Sequence, residues 1–177
     1  MAFRDLPGIE RYGENSIAGD LAEEAVAKVM ADMNRPVAPF GPRRVSTERA
    51  QQTTWPEVIR FSPDYLGWNR FIECQGFGHE RRVIFKERKL DALVFWNGIM
   101  PVWFGLYDAV QDTVTFADLP SVLWAIHHPD TQPIQLDAGN KLEKSAYSVP
   151  IEVLHQRQFN NAFEADRVSK GKRKRGD

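Results

Sequence analysis

The residues from Phe61 to Gly76, FSPDYLGWNRFIECQG, constrain the fold of this chain more than any other stretch. Two apolar runs flank Gly67-Trp68-Asn69, the pattern of two strands joined by a short turn. In the second run the two-residue repeat of a strand sets Phe71, Glu73 and Gln75 on one face and Ile72 and Cys74 on the other. Asp64 stands at the facing end of the first run, within reach of Glu73. An apolar strand that carries inward polar groups must compensate them, because burying them unpaired costs several kilocalories. A bound cation is one such compensation.

The chain of 177 residues has the length of one domain with its own core, and 42% hydrophobic with 11% aromatic residues suit a globular protein. The expected organisation is an N-terminal arm over residues 1–15, a single domain over 16–165 and a basic tail over 166–177, read as disordered. Apolar runs reach only about ten residues, short of the roughly 20 that cross a bilayer, so no membrane partner is expected. The N-terminal segment has acids and no apolar signal core, which points to the cytoplasm, or the host cytoplasm if the chain is viral. Cys74 is the one cysteine and is expected as a small buried hydrophobe. Lys170, Lys172, Arg173, Lys174 and Arg175 against Asp177 give the end of the chain a net charge of +4, leaving −5 on the rest. A basic tail on an acidic body suits sequence-independent contact with a phosphate backbone, and a solubilising tail is the alternative.

Along the chain, Ile17, Leu21, Ala25, Val26, Val29, Met30 and Met33 recur at helical spacing, which predicts a helix over 16–33 capped by Ser16 or Asp20. Glu23 lies beside its apolar face. Residues 35–54 read as a loop, with a short strand near Val45 and a basic pair, Arg43 and Arg44, placed to meet phosphates. Arg81 and Arg82 form a second such pair, before the apolar run that ends at Lys86. A helix follows over 87–97, then a strand in PVWFGLYDAV covered on both faces, then a strand in TVTFA. Asp118 starts a helix to about His127, with His127 and His128 as caps at its end. Residues 129–144 read as loop, and YSVPIEVL as a closing strand and turn before a polar helix. Trp96, Trp103 and Trp124 sit in apolar runs and are expected in the core. This order predicts an α/β fold, a mixed sheet with helices on both faces.

Phosphodiester hydrolysis needs an activated water and neutralised charge on the phosphorus and the leaving oxygen, and magnesium serves all three. Magnesium takes hard oxygens, keeps several waters and accepts one or two carboxylates, which Asp64 and Glu73 can provide. Glu23 could hold a water at the ion or a second ion.

Gly19, Glu23 and Val26 on the first helix, then Pro63-Asp64, then Glu73-Cys74-Gln75, resemble the PD-(D/E)XK nuclease superfamily over roughly residues 16–110. The resemblance implies a restriction-endonuclease-like sheet flanked by helices, with Asp64, Glu73 and Glu23 around Mg2+ or Mn2+ and DNA as substrate. It departs from the family's pattern where the usual lysine is replaced by Gln75, which would position water. Lys86 is the first candidate to supply the missing cation and Lys89 the second. The implied activity is structure- or strand-directed DNA cleavage, and the family's abundance in phages suggests a phage-encoded chain, with a homodimer as the expected assembly. The competing expectation is a binding module for nucleic acid or protein that keeps this fold without the chemistry.

Overall fold

A computed structural model describes residues 8–41, 55–136 and 144–156. The predicted loop strand near Val45, Arg43, Arg44, the polar C-terminal helix and the basic tail lie outside the described residues.

The chain opens with a long helix, α1 (Gly8–Asp32), which begins well before the expected Ser16 and runs through Asp20, so neither residue caps it. Then come β1 (Ala38–Pro39), a single helical turn α2 (Glu57–Arg60), β2 (Tyr65–Leu66), β3 (Phe71–Phe77), β4 (Arg82–Lys86) and α3 (Glu87–Asn97). They are followed by β5 (Val102–Asp108), β6 (Thr113–Asp118), α4 (Leu119–Ala125), β7 (Gln132–Leu136), β8 (Lys144–Pro150) and α5 (Ile151–Gln156). The fold is mixed α/β. Five strands form a mixed sheet in the order β1-β2-β3-β5-β6, with β3 and β5 parallel and the other pairs antiparallel. A second, antiparallel sheet of three strands, β4-β8-β7, was not expected from the sequence.

The alternation in β3 divides the core. Ile72 and Cys74 pack with Ala22, Val26 and Met30 of α1 and with Trp103 on one side of the main sheet. Phe71 and Phe77 face the other side, with α3, α4, α5 and the small sheet, in a larger cluster that includes Phe85, Leu93, Phe104, Val122 and Leu154. Helices thus cover both faces of the main sheet, and β5 is buried along almost its whole length, as its unbroken apolar run predicts. Helix α1 lies very close to β5 at Gly105, where a Cβ would stand 2.5 Å from Val26 Cγ2. Only glycine permits that approach.

Three sequence expectations are corrected. Residues 132–136, read as loop, form an edge strand that carries Pro133, a position where a missing N–H is tolerated. The run IEVL, read as strand and turn, is helix α5, because β8 ends at Pro150. Trp124 is not core but 42% exposed on α4, whereas Trp103 is buried and Trp96 half-buried against Phe40 and Phe71. Asp118 caps α4 as expected, its Oδ1 accepting from Ser121 N at 2.8 Å. Beyond α4, His128 Nδ1 accepts from the Asp130 backbone N–H at 3.3 Å and so closes the turn after the helix.

Candidate functional site

The strands of the β2–β3 hairpin pair Tyr65 with Ile72 and Leu66 with Phe71. That register brings Asp64 opposite Glu73, where side chains on facing strands share one side of the sheet. The ladder stops at Tyr65, and the Asp64 side chain takes over the next partnership, Oδ2 accepting from Cys74 N at 2.7 Å. A charge-assisted bond of this length fixes the carboxylate beside the strand.

Glu73 is buried, at 6% exposure, in the middle of that strand. Burial pushes its carboxyl well above the usual range, the neighbouring Asp64 charge pushes it further, and Lys89 opposes both. Lys89 Nζ lies 2.8 Å from Glu73 Oε2 and donates to Ser62 O at 3.0 Å. The contact is an ion pair by distance, yet Oε2 has no donor aligned on it as a hydrogen bond. Lys89 sits in the first turn of α3, where a cation opposes the helix dipole, so its position is explained by Glu73 and Ser62 rather than by the helix.

Of the two lysine candidates, Lys89 is the one that lies beside Glu73. Lys86 ends β4 with an exposed side chain, while Lys89, three residues on, is carried by the helix back over β3. Gln75 shares the Glu73 face but is turned to its own strand, Nε2 reaching Gly76 O at 3.5 Å. Glu23 belongs to α1, on the Cys74 side of the sheet; Tyr65 Oη donates to its backbone carbonyl at 3.3 Å. Among the described residues no three His, Cys, Asp or Glu side chains group to hold a metal ion, so Glu23 does not join Asp64 and Glu73 as a third direct ligand. Burial pushes the Cys74 thiol well up, reinforced by Asp64, Glu73 and Glu23 and opposed by Lys89. Cys74 is a buried thiol packed against α1, which is packing rather than chemistry.

Arg81 and Arg82, expected to meet phosphates, are engaged within the fold. Arg81 Nε donates to Glu152 Oε1 at 2.8 Å and its Nη1 to Asp108 Oδ2 at 3.4 Å. Arg82 donates to Ser148 Oγ at 2.7 Å, to Ser148 O at 2.6 Å and to Asp130 O at 3.1 Å. Arg82 ties β4 to β8 within the small sheet, and Arg81 ties the turn before β4 to α5 and to the end of β5 in the main sheet. Asp108, unremarked in the sequence, is the buried acid of that network, and its position at the end of an apolar strand just before a turn was the available signal.

Comparison with family models, curated proteins and solved structures gives no significant match. Among the described residues no helix is long and apolar enough to cross a membrane.

Proposed function

We propose that the chain is a divalent-metal-dependent DNA nuclease of the PD-(D/E)XK type, with a restriction-endonuclease-like fold and structure- or strand-directed cleavage. The observation that carries the reading is Lys89 Nζ at 2.8 Å from the buried Glu73, with Asp64 opposite it on the hairpin. Two carboxylates and a cation from another element lie together, and Lys89 would stand in for the lysine that Gln75 replaces. The donors also fit the ion. They are hard oxygens, one of them buried without an aligned donor, and magnesium takes one or two carboxylates and fills its shell with water.

Asp64 and Glu73 would hold Mg2+ or Mn2+, which supplies Lewis-acid stabilisation of the phosphoryl oxygens and a more acidic water. Lys89 opposes, without overcoming, the upward push of burial and Asp64 on the Glu73 carboxyl, and it would offer positive charge to the developing phosphorane. Gln75, on the Glu73 face of β3, would orient water, whereas Glu23, on the Cys74 side of the sheet, has no assigned role at the ion. A host or viral cytoplasmic setting, a homodimer and a role for Arg43, Arg44 and the basic tail on the DNA backbone belong to the same proposal.

Purified protein is tested with magnesium or manganese on single-stranded, duplex, flap and four-way-junction DNA. Cleavage that disappears in Asp64→Ala and Glu73→Ala, with both variants folded, is the expected result. Unchanged cleavage in both would end this reading. A second reading is favoured by the bonds that Asp64 makes to Cys74 N and Glu73 to Lys89: the acids are partly satisfied without an ion. In that case the chain is an inactive module of the same fold that binds nucleic acid or a protein, and binding persists in excess chelator with no cleavage of any substrate.

A further inference from the structure

The turn that joins the two halves of the site holds Trp68 almost entirely in solvent, at 96% exposure. The other residues of the turn are tied down. Gly67 N donates to Arg70 O at 2.9 Å, and Arg70 Nε donates to Asn69 Oδ1 at 2.9 Å. The Arg70 guanidinium lies 4.9 Å from the centroid of the Trp103 ring, and both residues are buried. A Cβ on Gly67 would approach Arg70 O to 3.3 Å, so the turn is closed tightly. These bonds close the tip, and its most exposed large side chain is the residue type with the largest flat apolar surface.

Nothing in the turn requires an indole at this position. A tryptophan carries roughly 150–250 Å² of buryable surface and is normally well covered. We propose that Trp68 is a stacking platform for an unpaired nucleobase, which holds single-stranded or forked DNA against the Asp64–Glu73 hairpin. The inference rests on the nuclease reading and adds to it the class of substrate and a residue that selects it. A lone indole presents one π face, as does a splayed base, and such stacking tolerates any base. Trp68 precedes Glu73 by five positions, so the platform stands at most about 16 Å along the strand from the acid, about five base-pair steps of a duplex. Beside the tip, a recess of about 400 Å³ lined by Asn69, Arg70, Asn97, Trp103, Asp118 and Pro120 gives depth for the nucleotide next to the stacked base.

The test is fluorescence anisotropy of labelled single-stranded, forked and blunt duplex DNA with the full chain in chelator, followed by cleavage of the same DNAs in magnesium. Trp68→Ala is expected to weaken binding to single-stranded and forked DNA by about tenfold or more. Trp68→Phe should keep most of the affinity, and neither change should alter blunt-duplex binding or thermal stability. Equal affinity of wild type and Trp68→Ala for every DNA overturns the inference, and continued cleavage then leaves the nuclease reading standing. Weakened binding in Trp68→Ala together with no cleavage by wild type supports the platform and overturns the nuclease. If Trp68→Ala instead abolishes self-association and leaves DNA binding intact, the tip is an interface between copies and the platform is overturned.

Discussion

Two acids are buried in the main sheet, and their surroundings differ. Asp108, at the end of β5, accepts from Val110 N at 2.9 Å and Gln111 N at 3.1 Å through Oδ1, and from Arg81 through Oδ2. Arg81 also closes its own turn, with φ of 50°, and is held there by Glu152. Every oxygen of Asp108 is answered. Glu73, on the neighbouring strand, faces another acid and shares one lysine with the Ser62 carbonyl, Lys89 Nζ standing 2.8 Å from Oε2 without the alignment of a hydrogen bond. A charge buried for structure alone is paired and saturated, since each unmet lone pair costs about 1–3 kcal/mol. Two facing carboxyls that share a single lysine are the arrangement a cation completes.

The sharpest way to break this contrast is to neutralise each acid in turn. Glu73→Gln is expected to lower magnesium-dependent cleavage by about 10²–10⁴-fold with little change in fold, the range typical of losing a positioned catalytic group. Asp108→Ala should do the reverse. It leaves the Val110 and Gln111 N–H groups without their acceptor and removes one of the two carboxylates on Arg81, and should cost about 3 kcal/mol in urea unfolding while cleavage per folded molecule stays within a few-fold. Equal loss of activity in both variants would erase the distinction. A smaller effect separates the lysines. Lys89→Met is expected to reduce cleavage by about 10–100-fold through its loss of charge at the site, against less than about twofold for Lys86→Met, measured under single-turnover conditions.

The hairpin and the facing of Glu73 were legible in the sequence because a two-residue repeat and a Gly-containing turn are local signals. The choice between Lys86 and Lys89 was not. It depends on where β4 gives way to α3, and a boundary error of one residue turns a helical side chain by about 100°. Arg81 and Arg82 looked like a phosphate clamp because their partners Glu152 and Ser148 lie 71 and 66 residues away. Local charge patterns carry no information about such distant pairs. The small sheet was missed for a related reason: QPIQL has too little apolar content and a proline, and it becomes a strand only because β8 offers it an edge. Glu23 was legible as an inward-looking acid, but the side of the sheet on which α1 packs is a tertiary fact, set at Gly105 and Val26.

The smallest expected effect concerns pH and bears on whether Glu73 differs from an ordinary buried acid in its field as well as its geometry. Burial, and then Asp64, raise its carboxyl in the folded chain despite Lys89. A raised folded value means that the native state keeps a proton which the unfolded chain has already released. The stability due to this group is therefore complete below the ordinary carboxylate range and is lost as pH rises through the raised value. Urea unfolding of wild type in chelator should accordingly show a midpoint that falls from mildly acidic towards neutral pH relative to Glu73→Gln. Saturating manganese should flatten or reverse that trend, because an ion binds only the ionised carboxylate and stabilises the native state by its own affinity. If wild type and Glu73→Gln have parallel profiles in chelator, Lys89 already holds Glu73 ionised and the acid is saturated in the manner of Asp108. If manganese has no effect on the profile, Asp64 and Glu73 do not hold the ion.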